Sequence, residues 1–323
     1  MIRLFAVLFF GCISSQAQTI TETFGSGANQ FQIEFVTIGN PGNAADTSGT
    51  PNPAGSVEYI YNLGKYEVSR DMITQANLAG GLNITMTDMS SLGGNGGARP
   101  ANGISWYEAA RFVNWLNTST GRVGAYKFDA NGAFQLWSPG DAGFNTANPY
   151  RNALASYWLP NLDEWYKAAY GSPGGGWYNF PNGSDVQPSS AEAVYGQLSG
   201  DPSETGPADV GQAGAFSSWG TMGQGGNVAE WMENAFDRSN DSATENREVR
   251  GGAWVNFPSY MGSALADQSQ PDREYLHTSG DGYLGFRVAG VPEPSSISLL
   301  LAGGAVLIRM RAKVSLKKQS SSG

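Results

Sequence analysis

Residues able to do chemistry are concentrated in two glycine-rich segments, "GGNVAEW" (225–231) and "VRGGAWVN" (249–256). The first offers the Glu230 carboxylate, the Asn227 amide and Trp231; the second offers Arg250 and Trp254, and "GFR" at 285–287 adds Arg287 beside Gly285 and Phe286. A guanidinium presents a rigid fan of donors that suits a carboxylate or several loop carbonyls. Gly251 and Gly252 permit a backbone path that a Cβ would forbid, or close packing against an aromatic such as Trp254. In a loop-rich chain whose carbonyls need partners, this combination reads first as structural.

Groups for covalent or acid–base chemistry are few. Cys12 is the only cysteine and His277, in "DREYLHTSGDG", the only histidine. A lone histidine can serve as a general base, but no motif sets a Ser or Cys beside it, so a loop residue is expected. Glu230 with Glu233, or Asp237 with Asp241, are carboxylate pairs of the type used in glycoside hydrolysis, whose required separation is spatial rather than sequential. "GSPGGGW" (171–177) lacks the "GK[ST]" of a phosphate-binding loop. The aromatics of "GGGWYNFPNG", Trp177, Tyr178 and Phe180, either stack on sugar rings or plug the core.

The ends of the chain bear on which of these groups persist. "MIRLFAVLFFGCISSQAQTI" carries one positive charge at Arg3, an apolar run over 4–13, and small residues at Ser15 and Ala17. That pattern predicts a secretory signal peptide over 1–17. Its removal takes Cys12 with it and leaves no thiol for a disulfide, a thiolate metal site or a nucleophile. The other end reads "VPEPSSISLLLAGGAVLIRMRAKVSLKK". Pro292, Glu293 and Pro294 precede an apolar run over 297–308 and then five basic residues. About 12 apolar residues fall short of the roughly 20 of an ordinary membrane span, and the basic flank would stay cytoplasmic. The order over 291–313, with a tail at 314–323, resembles the PEP-CTERM sorting signal of Gram-negative bacteria. The resemblance implies a short transmembrane helix as a transient inner-membrane anchor, cleavage near Pro-Glu-Pro by an exosortase, and export to the cell surface or extracellular matrix.

Composition agrees with a folded exported domain. Charged residues are 15% and aromatics 12% of 323 residues, with 44 glycines, whereas disorder needs high charge and few aromatics. With both signals removed, 13 basic residues remain against 28 acidic ones, roughly −15. Such a balance argues against nucleic acid or anionic lipid as partners.

Between the signals, residues 18–30 read as a flexible lead-in to one domain over 31–290. "FQIEFVTI" (31–38) alternates as a half-buried strand, and "VEYIYNLGKYEVS" reads as two short strands turning at Asn62–Gly64. Ser69 is placed to cap a short helix from Arg70 to Leu78, and 79–99 reads as loop. "SWYEAARFVNWLN" predicts a helix with a capping box at Ser105 and Glu108; "NLDEWYKAAYG" repeats it at Asn161 and Glu164, with Gly171 as the residue after the helix end. "AYKFDANGAFQLW" predicts a hairpin around Asn131–Gly132. Two capped helices followed by a long irregular region give an α+β, loop-rich domain.

Six segments in order, "KYEVS" at 65, "PANGISWYEAARFVNWLN" at 100, "YWLPNLDEWYKAAY" at 157, "GGNVAEW" at 225, "VRGGAW" at 249 and "GFRVA" at 285, resemble the formylglycine-generating enzyme, or sulfatase-modifying factor, family. The resemblance implies an irregular variant of the C-type lectin fold. Its copper-dependent members bind Cu(I) through a cysteine pair after "RGG-W"; here that segment has Ser259, Met261 and Ser263 but no cysteine. Its iron-dependent members need three histidines, and this chain has His277 alone. Neither copper nor iron is therefore expected. The family's "GN-V-x-E-W" loop implies a Ca²⁺ site, carried over to carbonyls of Gly226 and Val228 and the carboxylate of Glu230, oxygens of the kind calcium accepts. Gly223 stands where the family usually has Asp or Asn, and Ala229 where tryptophan is common. The expected function is a non-catalytic exported module that binds a ligand, extracellular polysaccharide or a surface protein, or builds the matrix. The alternative is an enzyme of unknown chemistry on the same scaffold.

Overall fold

The computed structural model describes residues 18–197, 204–272 and 282–292. The expected signal peptide, His277, Glu293, Pro294 and the remainder of the expected sorting signal lie outside the described residues. No helix of the described residues is long and apolar enough to cross a membrane.

The first sheet has five strands in the order β1-β2-β3-β11-β6. Strand β1 (Thr19–Phe24) falls where sequence suggested a flexible lead-in. The "TITETF" segment places β-branched threonines at 19, 21 and 23, alternating with Ile20, Glu22 and Phe24, and pairs antiparallel with β2 (Phe31–Ile38). Phe24 anchors it, with its ring 5.1 Å from that of Tyr157. Strand β2 has the predicted bounds. Strand β3 (Tyr61–Gly64) runs straight through the residues read as a turn. Its register with β2 holds Asn62 opposite Thr37, and their side chains bond at 2.9 Å. That cross-strand pairing is not visible in local sequence.

The helices follow their local signals. Helix α1 (Arg70–Gly80) is capped by Ser69 and ends at Gly81 with φ 63°. Helices α2 (Trp106–Ser119) and α3 (Leu162–Tyr170) both carry the complete reciprocal capping box. Each box satisfies orphan N–H groups of the first turn through the predicted Ser105–Glu108 and Asn161–Glu164 pairs. Gly171 departs from expectation: it is extended (φ −79°) rather than left-handed. A Cβ there would lie 2.6 Å from the Lys167 carbonyl oxygen, so close approach rather than helix termination demands glycine. The hairpin of β4 (Lys127–Phe128) and β5 (Phe134–Gln135) encloses Asn131–Gly132 as predicted, and β6 (Tyr157–Trp158) edges the first sheet.

The second sheet collects the glycine-rich motifs. Its order is β10-β7-β8-β9, with β7 Ala229–Ala235, β8 Arg247–Arg250, β9 Asp267–Ser269 and β10 Leu284–Gly285. Thus "GGNVAEW", "VRGGAW" and "GFR", far apart in sequence, become neighbours in one sheet. The chain then leaves β10 and, within a few residues, enters the first sheet as β11 (Ala289–Gly290), between β3 and β6. Arg287 sits on that bridge. Helix α2 packs beside it, with Phe112 edge-on to Phe286 at 5.5 Å between ring centroids.

Candidate functional site

Glu230, on β7, is fully buried and so is Arg287. The guanidinium grips the carboxylate with two bonds, Nε to Oε2 and Nη2 to Oε1, each 2.6 Å. Its remaining donors reach the carbonyls of Gly64 at 2.8 Å and Met222 at 3.0 Å. The indole of Trp165, from α3, donates to Glu230 Oε2 at 2.7 Å. One ion pair therefore ties together β7, β3, α3 and the loop before β7. Bidentate, fully hydrogen-bonded geometry is the condition under which a buried ion pair offsets its desolvation.

Arg250, on β8 opposite Glu230, repeats the device. It donates from Nε to Glu248 at 2.8 Å and from Nη1 to the Leu265 carbonyl at 2.6 Å, and it also bonds the Thr50 carbonyl. Both arginines act on carboxylates and on loop carbonyls at once. The glycines serve the same packing. Gly226 has φ 77°, and a Cβ on it would fall 2.3 Å from the Val194 carbonyl oxygen; Gly251 has φ 92° and abuts the Gln224 carbonyl at 2.8 Å. The aromatics against Gly251 and Gly252 are Trp165 and Tyr260, not Trp254 as the sequence suggested. Trp231 is buried, donating its indole N–H to Ile104 at 2.7 Å.

The residues present do not fit calcium at the side chain of Glu230, because both carboxylate oxygens already face Arg287 or Trp165. A different carboxylate lies against the loop. Glu67, in "KYEVS", is buried, accepts from Asn227 Nδ2 at 2.9 Å through Oε1, and leaves Oε2 without a partner. A Cβ on Gly223 would fall 2.6 Å from that oxygen. Glu67 thus reaches into the space a side chain at 223 would occupy. Burial pushes its pKa up, against the pull of Arg287 and with the help of Glu230. Among the described residues no group of three or more His, Cys, Asp or Glu could hold a metal ion.

The other expected pairs separate. Glu233 lies apart from the Glu230 pair, accepting from Tyr126 at 2.9 Å and Asn148 at 2.6 Å. It shares Arg151 with Glu164, at 3.6 and 3.7 Å. Asp237 and Asp241 are exposed, and Asp237 is spent on its own loop through Ser239. Burial raises the Glu233 pKa from 4.5 to about 7, although Arg151 opposes the shift. A folded pKa above the unfolded one gives stability that is complete below 4.5 and lost as pH rises through 7. The wild-type chain should therefore lose up to about 3 kcal/mol between pH 4.5 and 7 from this group. Denaturant midpoints compared with Glu233→Gln should show that fall flattened in the variant.

The cleft of interest was not legible in the motifs. A cavity of about 410 Å³ opens between α3, the loop after β2 and the glycine-rich loop after α3. Lys167, Trp177, Trp219 and Asn40 line it. Lys167 is almost wholly buried, yet its ammonium donates only to the Asn40 carbonyl, at 2.9 Å. Burial lowers its pKa to about 8, with Glu58 pulling the other way. Trp219 is buried and its indole N–H has no partner. Of the three aromatics flagged in "GGGWYNFPNG", only Trp177 lines this cleft. A lysine inside the apolar run of α3 was the one available signal for it.

Comparison with known proteins follows the same residues. Residues 34–291 match the model of the sulfatase-modifying factor enzyme 1-like domain. Three similar solved structures are variable protein 1 of Treponema denticola (19% identity, TM-score 0.58, 84% of this chain and 99% of that one), CarF (18%, 0.55, 81% and 99%) and PvdO from Pseudomonas aeruginosa (16%, 0.53, 84% and 98%). At these identities the likeness is one of fold. No curated protein matches.

Proposed function

The chain belongs to the sulfatase-modifying factor enzyme 1-like domain family, and from that premise we propose a non-catalytic, exported member that binds a ligand at the cell surface or in extracellular polysaccharide. The observation that carries this reading is the state of the motif floor. Glu230, Arg287, Arg250 and Asn227 are all occupied by other groups of the same chain. A reaction centre needs at least one such group aimed at a substrate. The sequence adds that the segment after "RGGAW" has neither cysteine nor a histidine cluster.

Export rests on the two terminal signals, with an exosortase-type enzyme as processing partner. A calcium ion would be held at the motif loop by Glu67 with main-chain oxygens of Gly226 and Val228, not by the Glu230 carboxylate.

Expressed in a Gram-negative host with exosortase, the protein should appear in the surface or matrix fraction, shortened at both ends, and should retain isolated matrix polysaccharide. Elemental analysis should find no stoichiometric copper or iron, and any bound calcium should be lost in Glu67→Gln. Cytoplasmic recovery, or a tightly held transition metal with turnover, overturns the proposal.

A further inference from the structure

The cleft beside α3 has a chemical bias that the family motifs do not explain. Its polar groups are donors in excess. An ammonium has three N–H bonds to place, and that of Lys167 places one, on Asn40. No described carboxylate forms an ion pair with it. Trp219 lines the same wall, with its own indole N–H buried and without a partner. A buried donor left unmade is costly, so the two free N–H bonds of the Lys167 ammonium gain when an acceptor enters. None of the residues lining the cleft is acidic, although the chain as a whole carries net charge −9.

The opposite character comes from Trp177. It is half-buried, its ring 5.5 Å from that of Tyr166, and it borders the same cavity as the ammonium. An indole face packs against the apolar C–H face of a sugar ring, while nearby donors fix its orientation. About 410 Å³ is the scale of a small-molecule site. An aromatic platform and a cation within one cleft of that size suit a sugar ring that carries a carboxylate.

Resting on the binding-module reading above, we propose that the cleft between α3 and the loop after β2 binds an acidic saccharide, with Lys167 facing its carboxylate and Trp177 its ring. A net-negative protein recruits an anionic polymer poorly by long-range attraction. Recognition therefore depends on this one buried cation, and a neutral polymer lacks the group that answers it.

The test is calorimetric titration of the full-length protein with an oligoglucuronate, a neutral oligoglucan of equal length and a sulfated oligosaccharide. The carboxylated probe should bind at least about tenfold tighter than the neutral one, the discrimination a charge-assisted hydrogen bond gives. Lys167→Gln should erase that preference, Lys167→Arg should retain it within a few-fold, and Trp177→Ala should weaken binding. Melting curves of each variant separate lost binding from lost fold. Equal binding of the neutral probe, or Lys167→Gln without effect in a folded protein, overturns the acidic-sugar assignment and leaves the module reading standing. Preference for the sulfated probe overturns the carboxylate specifically. No binding of any probe overturns the cleft as a saccharide site, while matrix retention decides the broader reading separately.

Discussion

Arg287→Met should destabilise the domain by about 3–5 kcal/mol, the cost of removing one partner of a buried ion pair. The loss has three parts. Glu230 would remain buried at 0% exposure with only the Trp165 indole as partner. The carbonyls of Gly64 and Met222 would lose their donor in a region closed to water. The junction between β10 and β11 would lose the side chain that ties it to β7. Urea unfolding at fixed pH measures the effect, and a fall of well under 1 kcal/mol would refute the account. The double variant Glu230→Gln/Arg287→Met should recover part of the loss, since no bare charge then remains buried. A calcium-bridged Glu230 predicts something else: Arg287→Met would be mild, and chelation would do the damage.

Trp106→Ala should cost at least as much, about 4 kcal/mol or more. Truncating a buried tryptophan alone costs about 3–5 kcal/mol. Trp106 is also one wall of an aromatic cage around Arg247. Its ring lies 4.9 Å from Phe134 and 5.3 Å from Tyr126. The Arg247 guanidinium carbon sits 4.5 Å from the Trp106 ring and 4.1 Å from that of Tyr150. Arg247 is fully buried, and its hydrogen bonds go to the Tyr150 hydroxyl and to carbonyls rather than to a carboxylate. A desolvated cation on an aromatic face is stabilised by about 2 kcal/mol, and the truncation removes one such face. The indole N–H would also leave the Met232 carbonyl, now bonded at 2.9 Å, without its donor. Trp106→Phe keeps a face and loses the hydrogen bond, so it should fall well short of alanine. Equal losses in the two variants would refute the cage.

What could be read in the sequence was local. Capping boxes span three residues, so "SWYE" and "NLDE" announced α2 and α3, and "DANG" announced the β4–β5 hairpin. Strand β1 escaped because the following "GSGANQ" gave its short alternating run the look of a linker. The glycine-rich motifs named Glu230, Arg250 and Arg287 but not the groups they meet. Glu230 meets Arg287 57 positions away and Lys167 meets Asn40 127 positions away. No local pattern encodes such pairings, and the long irregular segments give no periodicity from which to infer them. Lys167 stands near the end of α3, and only the loop folded over that helix makes it a buried cation in a cleft.

The position of β11 has a kinetic meaning. It is the last strand among the described residues, yet it lies inside the first sheet with β3 on one side and β6 on the other. Until residues 284–290 are available, β3 and β6 have no common neighbour and Glu230 has no guanidinium. Folding is thus gated by the arrival of the C-terminal strand, and contacts of such high sequence separation form slowly. A growing chain of this topology can complete neither the first sheet nor the Glu230 ion pair until that segment has been made.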